Sequence, residues 1–260
     1  MSDPRLVHVT VEAGIAVLTL DNPPLNLVTL ELTRRLREAL DRLAADPLAR
    51  VLVVTGAGTR AFCAGSDVSE FPSVADDVVR KKLAPENETY SRLDDFPKPT
   101  IAALNGLAYG GGLELAVCCD ILVAGADVRI ALPEVKLGVL PGSGGPVRVL
   151  RRVGEGRAKE LMFIGDPIDA ETARGWGLVN RVVPPGQALA AALELARTLA
   201  ERPNRALQLI KEAADLAHDT TEDAALRRIL ALSRAAFRTE DAREGIRAFF
   251  AKEPPRWHHR

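Results

Sequence analysis

Two carboxylates, Glu114 and Glu134, stand twenty positions apart, each beside a glycine-rich turn. The first closes Gly106-Leu-Ala-Tyr-Gly-Gly-Gly-Leu-Glu114; the second opens Glu134-Val-Lys-Leu-Gly-Val-Leu-Pro-Gly-Ser-Gly-Gly145. A carboxylate near a backbone bend with free amide N–H groups can move a proton beside a polarised carbonyl, and two can divide the work between a base and an acid. Three consecutive glycines between apolar segments let a ligand approach the backbone closely. A helix starting there favours an anion. Each acid also has a plainer reading by itself. Glu114 falls in the first turn of an apolar helix, where capping alone would account for it. Glu134 in isolation reads as a surface acid.

Other motifs carry less. Gly56-Ala-Gly58-Thr-Arg-Ala61 follows a strand and fits the loose dinucleotide pattern, but a second turn follows, and no strand precedes Asp76 and Asp77. No glycine has Lys-Ser or Lys-Thr at phosphate-loop spacing. Ser143 lacks the glycine at 141 that a nucleophile elbow needs, since Pro141 stands there, and no histidine is near it in sequence. Phe62-Cys-Ala-Gly65-Ser66-Asp67 is a turn that could aim a backbone N–H into a cleft.

The chain of 260 residues, 47% apolar and 27% charged, is long enough for a substantial core. A net charge of −1 supplies no generic attraction to nucleic acid or an anionic membrane. No apolar run is long enough to span a bilayer and no secretory signal is visible. Three cysteines, Cys63, Cys118 and Cys119, make a poor disulfide framework and read as small buried residues of a reducing compartment. None of the four histidines lies near the glycine turns, and His258 and His259 read as a solvated tail.

The elements that must position the two acids follow from periodicity. A hairpin is expected over 5–11 and 15–20, a rigid turn over 22–26, and a helix from Thr29 to Asp46 with Leu32, Leu36, Ala39, Leu40 and Leu43 on its buried face. Buried strands are expected over 51–55 and 99–104, with one charged helix between them over 74–93. A buried helix over 113–119 and strands over 120–124 and 128–131 follow. Helices over 146–162 and 169–175, a strand over 178–182, and a helical tail over 187–250 complete the reading. Pro203 and the Thr220-Thr221 pair start helices within that tail.

Taken together, these segments resemble the enoyl-CoA hydratase/isomerase (crotonase) family along nearly the whole chain. The matching stretches are Asn22-Pro-Pro-Leu-Asn26, Gly58-Thr-Arg-Ala-Phe-Cys-Ala-Gly-Ser-Asp67, residues 99–114, Cys119-Asp120, residues 133–145, Gly175-Trp-Gly-Leu-Val-Asn180 and Glu244-Gly-Ile-Arg-Ala-Phe-Phe250. The resemblance implies an α/β fold: a spiral core of repeated ββα units with the acyl-CoA site over residues 1–195, then a helical region over 196–260 used in trimerisation. A homotrimer or a homohexamer is the implied assembly.

The family's shared chemistry is stabilisation of a thioester enolate. Carried over by motif, the oxyanion would be held by the backbone N–H groups of Ser66 and Gly111. Glu114 and Glu134 match the two glutamates of hydratase members, with water activation assigned mainly to Glu114 and proton delivery mainly to Glu134. Leu25, Ala64, Asp67, Val68, Gly110, Pro133 and Gly142 are implied to contact the acyl-CoA thioester, with Arg60 and Lys252 on its phosphates. Coenzyme A is then part of the substrate, and no separate cofactor or metal is expected. No nucleic-acid or membrane partner is expected either, and the expected setting is a bacterial cytoplasm. Three departures stand out. Pro146 begins a segment where the family often shows Thr-Gln-Arg, and Pro23 and Ser69 replace common basic residues, which weakens the expected phosphate contacts. Reversible hydration of a trans-2-enoyl-CoA is the leading reading. Double-bond isomerisation or another enolate reaction is the alternative within the family, and a non-catalytic CoA- or RNA-binding scaffold the alternative outside it.

Overall fold

The structure, a computed structural model, describes residues 6–259. The chain opens with an antiparallel hairpin, β1 (Val7–Glu12) and β2 (Ile15–Leu20), turned at Ala13-Gly14. This is the expected hairpin, with position 5 outside the described residues. Helix α1 (Leu30–Ala45) starts where Thr29 accepts the Leu32 N–H on its hydroxyl at 3.0 Å, and its five expected apolar positions are all buried.

From there strands alternate between two sheets. β3 (Val51–Gly56), β5 (Thr100–Leu104) and β7 (Ile121–Gly125) lie side by side in a six-stranded sheet of order β1-β2-β3-β5-β7-β10, where β10 is Arg181–Val183. Each is followed by a short strand of a second sheet: β4 (Ala61–Cys63), β6 (Leu107–Tyr109) and β8 (Arg129–Ala131), which close with β9 (Ile168–Asp169) in the order β4-β6-β8-β9. Helical segments then carry the chain back. They are α2 (Phe71–Val74) and α3 (Ala84–Asp94) after β4, α4 (Gly111–Ala116) after β6, and α5 (Gly145–Val153) with α6 (Glu155–Ile164) after β8. The result is the spiral of ββα units. Pairing among β2, β3, β5, β7 and β10 is parallel throughout.

Burial explains why β3 and β5 read as unbroken apolar runs. One face, with Leu52, Val54, Ala102 and Leu104, enters the main core beside Leu36 and Leu40 of α1. The other face, with Val51, Val53, Ile101 and Ala103, is covered by Ala192, Ala196 and Ala200 of α8 (Ala188–Ala200). A parallel strand covered on both sides has no position left for a solvated side chain.

Helix α8 therefore belongs with the sheet, and the transition placed at 195 falls inside it. The chain leaves the sheet at Glu201, and Pro203 opens α9 (Asn204–Asp219). Helices α10 (Glu222–Phe237) and α11 (Glu240–Ala251) follow, opened by Thr221 and Thr239. Helix α9 is tied to the core by Lys211, paired with Asp120 at 2.9 Å. No helix among the described residues is long and apolar enough to cross a membrane.

Several expected elements are subdivided. The charged helix of 74–93 is a π-helical turn, Val79–Leu83, running into α3, with α2 separate before it. The helix of 146–162 is two, because Gly154 sits at φ 80° between α5 and α6, a conformation that ends a right-handed helix. Helix α4 stops at Ala116, three residues before the expected end at 119. The strand expected over 178–182 begins only at Arg181. Before it, Leu178 and Val179 turn into the core after α7 (Ala170–Trp176), and Asn180 exchanges hydrogen bonds with Leu122. The C-terminal histidines are not a free tail: the His258 amide donates to the buried Asp241 carboxylate at 2.6 Å.

Candidate active site

The glycine turn between β6 and α4 is where the site's parts meet. Gly110 has φ 50°, a left-handed conformation that suits glycine, and its N–H donates to the Ala131 carbonyl at the end of β8. Gly112 lies so close to β4 that a side chain there would collide with the Cys63 carbonyl. These two approaches seat the start of α4 between β4 and β8. The first bond of the helix runs from Glu114 N–H to Gly110 O, so the N–H groups of Gly111 and Gly112 have no partner within it.

Glu114 projects from the first turn of α4 and is buried. Its Oε1 accepts two backbone N–H groups, from Ser143 at 2.9 Å and Gly145 at 2.8 Å. The turn that opens α5 thus grips the carboxylate. Burial pushes the Glu114 carboxyl up to about 7, against the pull of the Gly145 and Ser143 amides and with the charge of Glu134 acting in the same direction as burial. Glu134 begins a 3-10 turn, Glu134–Leu137, after β8. Its Oε1 lies 2.7 Å from where a β-carbon on Gly110 would be. Its Oε2 is shielded from solvent without a hydrogen-bond partner. Burial raises the Glu134 carboxyl as well. Glu134 therefore meets the first glycine of this turn, while the Glu114 carboxylate is held against the 143–145 turn, near enough for the Glu134 charge to act on it.

Ser66 stands across from Gly111. A β-carbon on Gly111 would lie 3.5 Å from Ser66 Oγ and 3.7 Å from the Ser66 nitrogen, and one on Gly65 would lie 3.7 Å from the Gly111 nitrogen. The Gly65–Asp67 segment is held by a parallel bridge to Val28, which donates to the Gly65 carbonyl at 2.8 Å and accepts the Asp67 N–H at 3.0 Å. The bridge brackets Ser66 on both sides.

The remaining expected residues divide by position. Leu25 accepts the Ala64 N–H at 3.0 Å, so these two flank the strand that leads to Ser66. Asp67 caps the short turn at Val68 by accepting from the Ser69 N–H and hydroxyl at 3.0 and 2.7 Å, and these hydrogen bonds hold its carboxyl below the usual range. Val68 is exposed. Gly110 and Pro133 adjoin Glu134 in space or sequence, and Gly142 accepts from Asn87 of α3 through its carbonyl at 2.7 Å. Arg60 is exposed in the loop before β4. Lys252 ends α11, whose chief neighbour is α10, and is also exposed. Cys63, Cys118 and Cys119 are buried and free, with their thiols pushed up by burial. Among the described residues no cluster of three or more His, Cys, Asp or Glu could hold a metal ion.

Sequence reasoning missed Lys82, Glu86 and Tyr90. Lys82 and Glu86 are 1% exposed and form an ion pair at 3.0 Å, and the Tyr90 hydroxyl donates to the Gly111 carbonyl at 2.9 Å. A signal was present: Lys82, Glu86, Tyr90 and Leu93 recur at helical spacing on the face that carries the apolar residues. The run's high overall charge masked it.

Fold and site together define a crotonase-type spiral with a two-carboxylate centre. The chain belongs to the enoyl-CoA hydratase/isomerase family, whose pattern matches residues 10–260. It is 34% identical to a crotonyl-CoA hydratase of Syntrophomonas wolfei and 36% identical to a short-chain-enoyl-CoA hydratase of Clostridium acetobutylicum, each match covering 93% of both chains. Among solved structures, the enoyl-CoA hydratase of Bacillus anthracis superposes with a TM-score of 0.94 at 32% identity, over 98% of this chain and all of that one.

Proposed function

We propose that this protein is an enoyl-CoA hydratase that reversibly adds water to a trans-2-enoyl-CoA, giving a 3-hydroxyacyl-CoA. The observation that carries the reading is a pair of carboxyls, Glu114 and Glu134, both raised by burial and with the Glu134 charge acting on Glu114, where Glu134 adjoins the Gly110–Gly112 turn whose Gly111 lies across from Ser66.

Ionised Glu114 takes a proton from water as the water oxygen bonds to C3. The C2–C3 π electrons move toward the thioester, giving an enolate whose oxygen is held by the Ser66 and Gly111 N–H groups. Glu134 supplies the proton that C2 accepts, and the thioester carbonyl re-forms. Fixed backbone donors need no reorganisation as the charge appears, and one such donor lowers the barrier by roughly 3 kcal/mol. Two neighbouring carboxyls that both resist ionisation share protons readily, so the division between base and acid describes the pair's net traffic.

The acyl-CoA would lie over Leu25, Ala64, Asp67, Val68, Pro133 and Gly142, with Arg60 and Lys252 toward its phosphates. The names of the Syntrophomonas and Clostridium relatives favour a short acyl chain. Loss of enoyl absorbance on adding crotonyl-CoA tests the reaction. Turnover of a 3-enoyl-CoA with none of crotonyl-CoA would replace hydration by isomerisation.

We also propose that α10 and α11 serve assembly into a homotrimer or homohexamer. Leu230, Phe237, Phe249 and Phe250 are each more than two-thirds exposed within one chain, and such large exposed apolar groups on two consecutive helices favour burial against further copies. Light scattering on the eluting protein gives the assembly directly.

A further inference from the structure

A buried lysine and a buried glutamate side by side are costly unless every charge is answered. Lys82 and Glu86 stand behind the site and answer each other, and each also reaches one half of the catalytic apparatus. Glu86 Oε2 accepts the Ser143 hydroxyl at 2.7 Å, and the N–H of the same Ser143 is one of the two donors to Glu114 Oε1. Lys82 Nζ donates to the Val28 carbonyl and to Glu70 Oε2, both at 3.2 Å. That Val28 carbonyl also accepts the Asp67 N–H, in the bridge that brackets Ser66. The Glu70 carboxylate in turn accepts the Leu30 N–H just after Val28-Thr29, at 3.1 and 3.2 Å. One turn along α3, Tyr90 holds the Gly111 carbonyl.

These contacts form a continuous chain from Glu114, through Ser143, Glu86, Lys82 and Val28, to the segment carrying the Ser66 amide. The π-helical turn Val79–Leu83 delivers Lys82 to the middle of that chain. Such wide turns are often found at functional sites. A hydrophobic pair would fill the same space, so the charges need a reason beyond packing.

We propose that Glu86, paired with Lys82, is a positioning residue for the reaction. Through Ser143 it sets where the Glu114 carboxylate sits, and through Lys82 and Val28 it ties that place to the Ser66 amide. The inference rests on the reading of Glu114 as the group that activates water. Ser143 does the linking, with its hydroxyl committed to Glu86 and its N–H to Glu114.

The ionisable groups facing Glu114 are Glu134 after β8, Glu86 and Tyr90 of α3, and Cys118 just beyond α4. Removing the Ser143 hydroxyl alters none of these charges. It loosens the amide that Glu114 accepts from. A weaker N–H bond to the carboxylate favours the neutral form, so Glu114 should then titrate at higher pH than in the parent.

The test is a double-mutant cycle on Ser143→Ala and Glu86→Gln, measuring kcat and KM with crotonyl-CoA and the titration of the Glu114 carboxyl by carbon-13 NMR, assigned with Glu114→Gln. Each single variant is expected to lower kcat roughly tenfold with KM within about twofold, the scale of a mispositioned catalytic group. In Ser143→Ala the Glu114 titration moves upward. The double variant should be no slower than the slower single, because both changes cut the same chain. A Ser143→Ala protein with the parent's kcat and the parent's Glu114 titration overturns the proposal, as does a double variant whose loss is the product of the two singles. Where Glu86→Gln does not fold, Ser143→Ala decides alone. A parent that never hydrates crotonyl-CoA would defeat the hydratase reading, while the Glu114 titration in parent and Ser143→Ala would still decide this one.

Discussion

The start of α4 and the segment after β8 each supply one glutamate, and they hold it differently. Glu114 is buried in a helix, with one oxygen fixed by two backbone donors from a neighbouring turn. Glu134 sits half-buried at the head of a short 3-10 turn whose next residues, Val135 to Leu140, are exposed, and one of its oxygens has no partner. The difference teaches how two identical side chains can take unequal parts. The gripped carboxylate is oriented before anything binds, and the unpartnered one keeps a free oxygen for a proton.

The largest expected effect comes from removing either acid. Glu114→Gln and Glu134→Gln should each lower kcat by at least ~100-fold, the scale of general acid–base catalysis. Near-normal turnover of crotonyl-CoA in both would break the comparison at its root. Next comes Gly110→Ala. Its added β-carbon would lie 2.7 Å from Glu134 Oε1 at a positive φ. A kcat loss of roughly tenfold is expected, with Glu134 pushed from its place. A fully active Gly110→Ala enzyme would show that Glu134 has no need of that position.

The buried acid also makes a pH prediction. The folded Glu114 carboxyl at about 7 lies above its ordinary 4.5, so the folded state holds this proton more tightly than the unfolded chain between those values. Its contribution to stability is thus complete below about 4.5 and lost as pH rises to about 7, where the fold carries a cost on the order of 3 kcal/mol. Glu114→Gln, which can still accept both amides, should therefore be more stable than the parent at pH 8, by about 1–3 kcal/mol in urea unfolding, with the advantage shrinking toward pH 5. In the parent, kcat/KM should fall about tenfold per pH unit below about 7, as Glu114 becomes protonated. A flat profile down to pH 5 would place the working carboxyl elsewhere.

The smallest effect belongs to the exposed segment. Lys136 pairs with Asp166 at 2.5 Å on the surface beside Glu134. Lys136→Ala should change stability by no more than ~0.5 kcal/mol and leave kcat within about twofold. A larger loss of kcat would mean that the 3-10 turn depends on this tether to present Glu134.

Much of the fold could be read along the chain because its cues are local. Thr29 with the apolar stripe of α1 marked a helix, and the unbroken runs over 51–55 and 99–104 marked strands covered on both faces. The subdivisions were less visible, since one glycine at 154 ends α5 only through its backbone angle. Within the candidate site, glycine runs and two glutamates marked turns that the fold brings near one another, because close backbone approach leaves glycine as its trace. Lys82 and Glu86 left no such trace. Their letters are those of any solvated helix, and only the apolar spacing around them hinted at burial.

The amino-acid order alone therefore determined most of the elements, though not their subdivisions, and with them the glycine turns, the presence of two carboxylates and the family resemblance, all of which depend on residue type and short spacing. Tertiary structure decided which groups face one another. It brought Glu134 against Gly110, closed the 143–145 turn on Glu114, set Ser66 across from Gly111, and buried an ion pair behind them. The reason is physical: a hydrogen bond or a raised pKa depends on distances and exclusion of water among segments far apart in the chain, and these come into being only when the sheets and helices pack.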